Sequence, residues 1–469
     1  MRTCSALLLL GCTALAQNRF TPGTKPFVTV DAPVIALEHV RVIDGTGVAA
    51  KEDQTVLIDH GKIAAVSAAA STTVPAGAHR MDLRGSTVIP GLVGMHEHLF
   101  YPSGSGIPMY NEHAFSFPRL YLAAGVTTAR TGGSLEPYTD LNVKKLVDDG
   151  RMPGPKLWIT GPYLEGKGTF AAQMHELSGP EDATRTVEYW AAEGVTSFKA
   201  YMYITRGELK AAVEAAHAHG IKVTGHLCSI GFREAAAIGI DNLEHGLLVD
   251  TEFHPGKEPD VCPPQQATRA ELARLDIGSA PVREMIADLV KHHVAITSTL
   301  AVFEAFDGGR PPVTQRFLDA LNPEAAISYL QARARSQAGS FTAALQKELE
   351  FEYAFARAGG LLMAGADPTG NGGALAGFAD QRNLQLLVEG GFTPLEAIRI
   401  GTLNGAQFLG EQDRIGTVAT GKQADLVLVD GNPAERIADI EKVKLVFKDG
   451  AGYDPGKLLE SIRGAVGLH

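Results

Sequence analysis

From Pro90 to about residue 405 the chain alternates short apolar runs with helical ones, and this alternation limits the fold more than any other feature. GVTTART (125–131) precedes YTDLNVKKLVDDG, and KLWITG (156–161) follows as a further strand candidate. VTSFKAYMY (195–203) precedes GELKAAVEAAHAHG, and IKVTGHL (221–227) precedes FREAAAIG. IDNLEHG (240–246) and VAITSTL (294–300) continue the series. Strand–helix alternation means a parallel sheet with helical crossovers. Seven or eight such units predict an α/β chain folded as a (β/α)₈ TIM barrel over 89–411, and that fold needs about 250 residues or more.

Both flanks read differently. VIALEHVRVID (34–44), TVLIDHGKIAAVS (55–67) and MDLRGSTVIP (81–90) are short β-branched runs broken by Asp44-Gly45 and His60-Gly61. The tail, through QADLVLVDGNP and VKLVFKDG, is again strand-like with glycine turns. A small β-sandwich built from both chain ends, 27–88 with 412–455, is the expected arrangement.

Composition excludes some classes. Of 469 residues 45% are hydrophobic and 20% charged, enough apolar content to fill a core. The formal charge of −11 and the lack of a basic run argue against nucleic-acid partners. The apolar stretch at 5–16 is too short to span a membrane. After Met1-Arg2, and ending Ala14-Leu15-Ala16, residues 1–16 fit a signal peptide cut before Gln17, for a secreted or periplasmic protein. A lipoprotein anchor at Cys12 is the weaker alternative. With Cys4 and Cys12 removed, Cys228 and Cys262 remain, and both are expected to be free and buried.

The chemistry-bearing residues sit where strands end. In His96-Glu97-His98 strand alternation aims both imidazoles to one side and Glu97 to the other. Lys199 lies inside an apolar run, where an amine is costly unless neutralised or paired. A neutral amine can take up carbon dioxide to form a carbamate, which is a carboxylate ligand. His226 ends IKVTGH, His245 ends IDNLEH, and Asp367 follows LLMAGA. The 27 residues from Lys199 to His226 and the 19 from there to His245 each match about one strand-plus-helix unit. Six candidate metal ligands (His96, His98, Lys199, His226, His245 and Asp367) therefore converge on the rim where barrel active sites form.

These residues, with Val88-Ile89-Pro90-Gly91-Leu92, Gly125-Val126-Thr127-Thr128 and Gly421-Lys422-Gln423-Ala424-Asp425-Leu426, make the chain resemble the amidohydrolase superfamily of the dinuclear, lysine-carbamate type, with prolidase- and imidazolonepropionase-like members. The likeness covers about 34–450. It implies that His96, His98 and Asp367 hold one divalent ion, that His226 and His245 hold another, and that carbamylated Lys199 bridges them around a hydroxide. It also implies that Asp367 moves the proton. Zinc suits such donors, and manganese or iron fits as well. Tyr201 and Tyr203, two and four residues beyond Lys199, are candidates to stabilise the oxyanion. Gly94 and Thr131 depart from residues common in the family.

The expected reaction is hydrolysis of linear amide bonds in dipeptides or N-acyl amino acids, on a small-molecule substrate, in a chain that can form homo-oligomers. Cyclic amide hydrolysis of the hydantoinase or dihydropyrimidinase kind is the alternative, with lactonase or organophosphate hydrolase activity behind it. A ligand-free scaffold is disfavoured by the complete ligand set, and a mononuclear deaminase by Lys199. His217, His219, His292 and His293 read as structural, and His113 and His175 as loop residues. His245 and Asp367 lie 122 residues apart, far more than two units need, so a helical insertion is expected at 303–358, near the site's mouth.

Overall fold

The computed structural model of the chain describes residues 19–103 and 109–467, so the expected signal segment and Cys12 lie outside the described residues. Eight parallel strand positions follow one another in chain order. They are Leu92–Glu97, Val126–Thr131, a third split at Ile159 into Lys156–Trp158 and Thr160–Leu164, then Ser197–Ala200, Lys222–Gly225, Asn242–Glu244, Ala295–Ser298 and Leu362–Ala364. The two halves of the third strand pair in opposite directions around the ring, Lys156–Trp158 with the second strand and Thr160–Leu164 with the fourth. Past the last strand, Asp367 N donates to the carbonyl of His96 at 2.9 Å, so backbone from the first and eighth positions meets. A Cβ at Gly365 would come within 2.4 Å of His96 N, and only glycine allows that approach. This is the α/β fold with a TIM barrel that the alternation predicts.

The crossover helices follow from local sequence. Helix Arg206–Ala218 is a clear case. Thr205 Oγ1 accepts from Glu208 N, and the Glu208 carboxylate accepts from Thr205 N at 2.8 Å, which completes a capping box. Leu209, Ala212, Val213 and Ala216 repeat at helical spacing and are the buried face. Among the described residues no helix is long and apolar enough to cross a membrane.

Strands from both chain ends form one nine-stranded sheet beside the barrel. Its central pair joins Ser86–Pro90 to Leu426–Asp430, antiparallel, with Pro90 opposite Leu426. Alternation assigns this pair to two cores at once. Leu426, Leu428 and Val88 pack with Ile35, Leu37 and Phe447, whereas Val427, Val429 and Ile89 pack into the barrel's own core.

Residues 303–358 carry helices Gln315–Ala320, Pro323–Arg335 and Thr342–Arg357. The extra length is not confined there. A second addition lies between the sixth and seventh strands, where the loop after His245 runs into helix Gln265–Leu272 before the crossover helix Ala280–Lys291. That loop also corrects the expectation for the cysteines. It folds back over the fifth strand's end and brings Cys262 to Cys228, Cα to Cα 4.9 Å, in a disulfide. Their 34-residue separation conceals this closeness in the sequence. Closing a loop of that length stabilises the fold by about 3–4 kcal/mol through the unfolded chain's lost entropy. A chain beginning at Gln17 should show no titratable thiol when denatured without reductant and two after reduction. Two thiols before reduction would refute the pairing.

Candidate metal centre

The strand ends of the barrel converge on a cavity of about 450 Å³, and all six ligand candidates line it. His96 ends the first strand's apolar run and His98 lies just past it. Their rings meet edge to face, centroids 5.1 Å apart. The side-chain donor atoms of His96, His98 and Asp367 all lie within 4.8 Å of one another. His98 Nε2 stands 3.3 Å and His96 Nε2 3.8 Å from Asp367 Oδ1. His245 Nδ1 lies 3.8 Å from Asp367 Oδ2, and its ring is 4.6 Å from that of His96 and 4.5 Å from that of His226. His96, His98, His226, His245 and Asp367 thus form one contiguous cluster, and Lys199 lines the same cavity.

Partners outside the cluster fix the free ring nitrogens. His96 Nδ1 donates to Glu244 Oε2 at 2.8 Å and His98 Nδ1 to the Gly133 carbonyl at 3.2 Å, while His245 Nδ1 and the Thr299 hydroxyl share a bond at 2.7 Å. The bonds to the carboxylate and the carbonyl leave Nε2 of His96 and His98 as the lone-pair nitrogen, the form an imidazole ligand needs. Burial pushes His96 down to about 4 and His226 to about 3, and it holds His245 well below the usual imidazole range. These three rings are neutral at physiological pH. Burial alone would raise the Asp367 carboxyl, but the His96, His98 and His245 imidazoles outweigh it and hold it well below the usual carboxylate range. His245 (φ 68°) and Asp367 (φ 45°) both adopt the left-handed backbone that non-glycine residues rarely accept. Such strain persists where the surroundings dictate it, most often at functional sites.

Lys199 is 1% exposed and has neither a hydrogen bond nor an ion pair among the described residues. Burial lowers its amine to about 8, although Glu244 and Asp367 pull the other way. An unpartnered buried amine fits the carbamate chemistry, because the neutral form is the one that reacts. The donor set as a whole fits divalent metal: clustered buried imidazoles, an ionised carboxylate and a buried amine.

Tyr201 and Tyr203 also line the cavity, although the strand Ser197–Ala200 stops before them and alternation does not place them. Tyr201 packs against the His226 ring at 4.9 Å and Tyr163 at 4.8 Å. Neither hydroxyl has a hydrogen-bond partner among the described residues. The remaining histidines stand apart from the cluster. His217 pairs with Asp241 at 2.9 Å and His175 with Asp182 at 3.1 Å, while His292 Nδ1 bonds the Asp288 carbonyl. His219 caps its helix, and His293 precedes the seventh strand. His113 is buried and accepts from Gly467 N.

Sequence reasoning missed the support beneath the ligands. The buried Glu244 carboxylate accepts from Arg130 Nη2 at 2.6 Å, Asn242 Nδ2 at 2.9 Å, the Thr224 hydroxyl and His96. Arg130, itself 1% exposed, also donates to the Met95 carbonyl. Burial would raise the Glu244 carboxyl, but Arg130, His96 and Lys199 outweigh it and hold it well below the usual range. The only sequence signals were position: Glu244 adjoins His245, and Arg130 ends a strand. Glu97 lies on the far side of the first strand, as alternation requires, and accepts from Ala366 N at 3.1 Å. Its carboxylate occupies the space a side chain at Gly94 would need, since a Cβ there falls 2.4 Å from Glu97 Oε1. A side chain at Gly94 would therefore need Glu97 to move. Glu244→Gln should weaken metal binding about 10- to 100-fold, as loss of an outer partner typically does. It should also cost about 3 kcal/mol by leaving Arg130 buried and unpaired. Metal titration and urea unfolding measure the two effects, and a variant matching the parent in both would remove Glu244 from this role.

Comparisons with known proteins agree with this geometry. Ochratoxinase from Aspergillus niger is 25% identical over 392 residues, covering 76% of this chain and 73% of that protein. A 5'-deoxyadenosine deaminase from Methanobrevibacter smithii is 40% identical over only 58 residues, 12% of this chain and 13% of that protein. A solved Xaa-Pro dipeptidase with methionine in its active site superposes with a TM-score of 0.67 at 21% identity, covering 90% of this chain and all of that one. It shares the fold. Residues 87–451 match the amidohydrolase family, and the chain belongs to that family of hydrolases.

Proposed function

We propose that the chain is a metal-dependent amidohydrolase acting on linear amide bonds, those of dipeptides or N-acyl amino acids. The observation that carries this reading is the gathering of six metal-donor side chains at one cavity, with Tyr163, Tyr201 and Phe303 among its walls. His96, His98 and Asp367 would hold one divalent ion, and His226 and His245 a second, with zinc the natural choice for such donors. Lys199 would bridge them once its neutral amine adds to carbon dioxide, forming an N–C bond and releasing a proton. Bound ions of this kind supply a water ionised near neutral pH and polarise the scissile carbonyl.

The chain's own groups do the rest. Asp367 is ionised and sits between three imidazoles, so its carboxylate can accept the attacking water's proton and return it to the departing nitrogen. The amine then leaves neutral. The unpartnered hydroxyls of Tyr201 and Tyr203 can donate to the carbonyl oxygen as it gains charge. Dry phenyl and tyrosyl walls strengthen each of these interactions. We also read the chain as exported, on the support of its N-terminal segment and of a disulfide that persists in oxidising compartments.

Metal content per chain, measured after expression with zinc and bicarbonate, should be two for the parent and clearly lower for Lys199→Ala. One ion in both proteins would overturn the bridging role of Lys199. Asp367→Asn should lower kcat on an N-acyl amino acid by about 10²- to 10⁴-fold, the range of general acid–base assistance. Full activity in Asp367→Asn would assign proton transfer to another group.

A further inference from the structure

Helix Gln265–Leu272 belongs to neither the strand–helix alternation nor the small β domain. It stands at the cavity wall and contributes Gln265, Thr268 and Arg269 to the lining. Cys262, three residues ahead of it, is bonded to Cys228, two residues beyond His226. The helix is thus covalently tied to the strand end that carries a metal-ligand candidate.

Arg269 carries the only guanidinium in the cavity lining. It is exposed toward the mouth, with its central carbon 5.8 Å from the Phe306 ring and 5.7 Å from the Phe341 ring. Phe341 stacks on Phe303 at 6.0 Å with planes 8° apart, and Phe303 lies 5.6 Å from the His245 ring. Phe303 and Phe306, centroids 6.5 Å apart, both line the cavity, so a wall of phenyl rings with Phe341 packed against it runs from the metal-ligand cluster to Arg269. Arg269 has no ion pair and no hydrogen bond among the described residues. Contact with ring faces restrains a guanidinium while leaving its N–H edges available. The charge around it makes this notable. The chain carries −11 overall, and carbamylation would turn Lys199 negative. Arg269 would then be the one fixed positive side chain facing a substrate.

We propose that Arg269 receives a carboxylate at the far end of the substrate, and that the phenyl wall seats an aromatic or apolar group between that carboxylate and the scissile amide. This deepens the amidohydrolase reading and rests on it. The substrate class becomes amides whose leaving or acyl portion ends in a carboxylate beyond a ring or an equivalent apolar spacer. Arg269 is a specificity residue and takes no part in bond cleavage.

The test compares two amides on the metal-loaded enzyme: 4-(2-acetamidoethyl)benzoate, and N-(2-phenylethyl)acetamide, which lacks only the carboxylate. The parent should favour the benzoate in kcat/KM by about tenfold or more, the scale of one charge-assisted hydrogen bond. Arg269→Met should abolish that preference, and Arg269→Lys should restore part of it. Binding of 4-ethylbenzoate, which has no amide to cleave, is followed by calorimetry in parallel. Its affinity should fall about tenfold in Arg269→Met at unchanged metal content. If neither amide is cleaved but 4-ethylbenzoate binds in an Arg269-dependent way, the carboxylate site stands and the hydrolase reading falls. If Arg269→Met keeps the parent's preference and its 4-ethylbenzoate affinity, the proposal is wrong.

Discussion

The site depends on one buried carboxylate. Glu244 sits on the sixth barrel strand and draws together Arg130 from the second, Thr224 from the fifth and His96 from the first. Four strands thus share one anion in a place water does not reach. A buried charge of this kind is costly unless every lone pair is used, and here the partners use them. The same carboxylate fixes the His96 tautomer and faces the Lys199 amine. Removing it would strip both a ligand's orientation and the barrel's central charge balance. Scaffold and reactive centre are therefore held by the same bonds.

Much of the fold was legible because alternation has a strict geometric meaning. A strand followed by a helix followed by a strand closes only as a parallel crossover, so the barrel could be read from punctuation alone. The ligand candidates were legible for a related reason: strand ends are marked by where apolar runs stop, and His226, His245 and Asp367 stand at such stops. Glu244 was not, since a glutamate in a short run looks the same whether it faces water or a buried arginine. The cysteine pair was unreadable because contact across a folded-back loop leaves no local trace. Tyr201 and Tyr203 line the cavity from beyond the strand end at Ala200, where the period of a strand no longer says which way a side chain faces.

Of the additions to the basic barrel, helix Gln265–Leu272 and the start of the 303–358 segment reach the cavity, through Gln265, Thr268, Arg269, Phe303 and Phe306. Helix Gln265–Leu272 and the 303–358 segment lie far apart along the chain, yet Arg269 meets Phe306 in the cavity wall and Phe341 beside it. The barrel supplies donors that point inward from fixed strands, and the insertions supply the surface a substrate meets on the way in. In the proposed reading, chemistry and selectivity are carried by different parts of the chain, the first on barrel strands and the second on insertions that can vary without disturbing the donor side chains.

The central strand pair of the small sheet has a further consequence, for the order in which the protein can form. Ser86–Pro90 has its partner in Leu426–Asp430, and each strand is buried on both faces. At ordinary synthesis speeds the first strand waits on the order of tens of seconds for the second to be made. Through that interval Val88 and Ile89 have neither of their two cores complete. The nascent chain must therefore stay unfinished until its last tenth arrives, and neither core can close around Val88 and Ile89 before then.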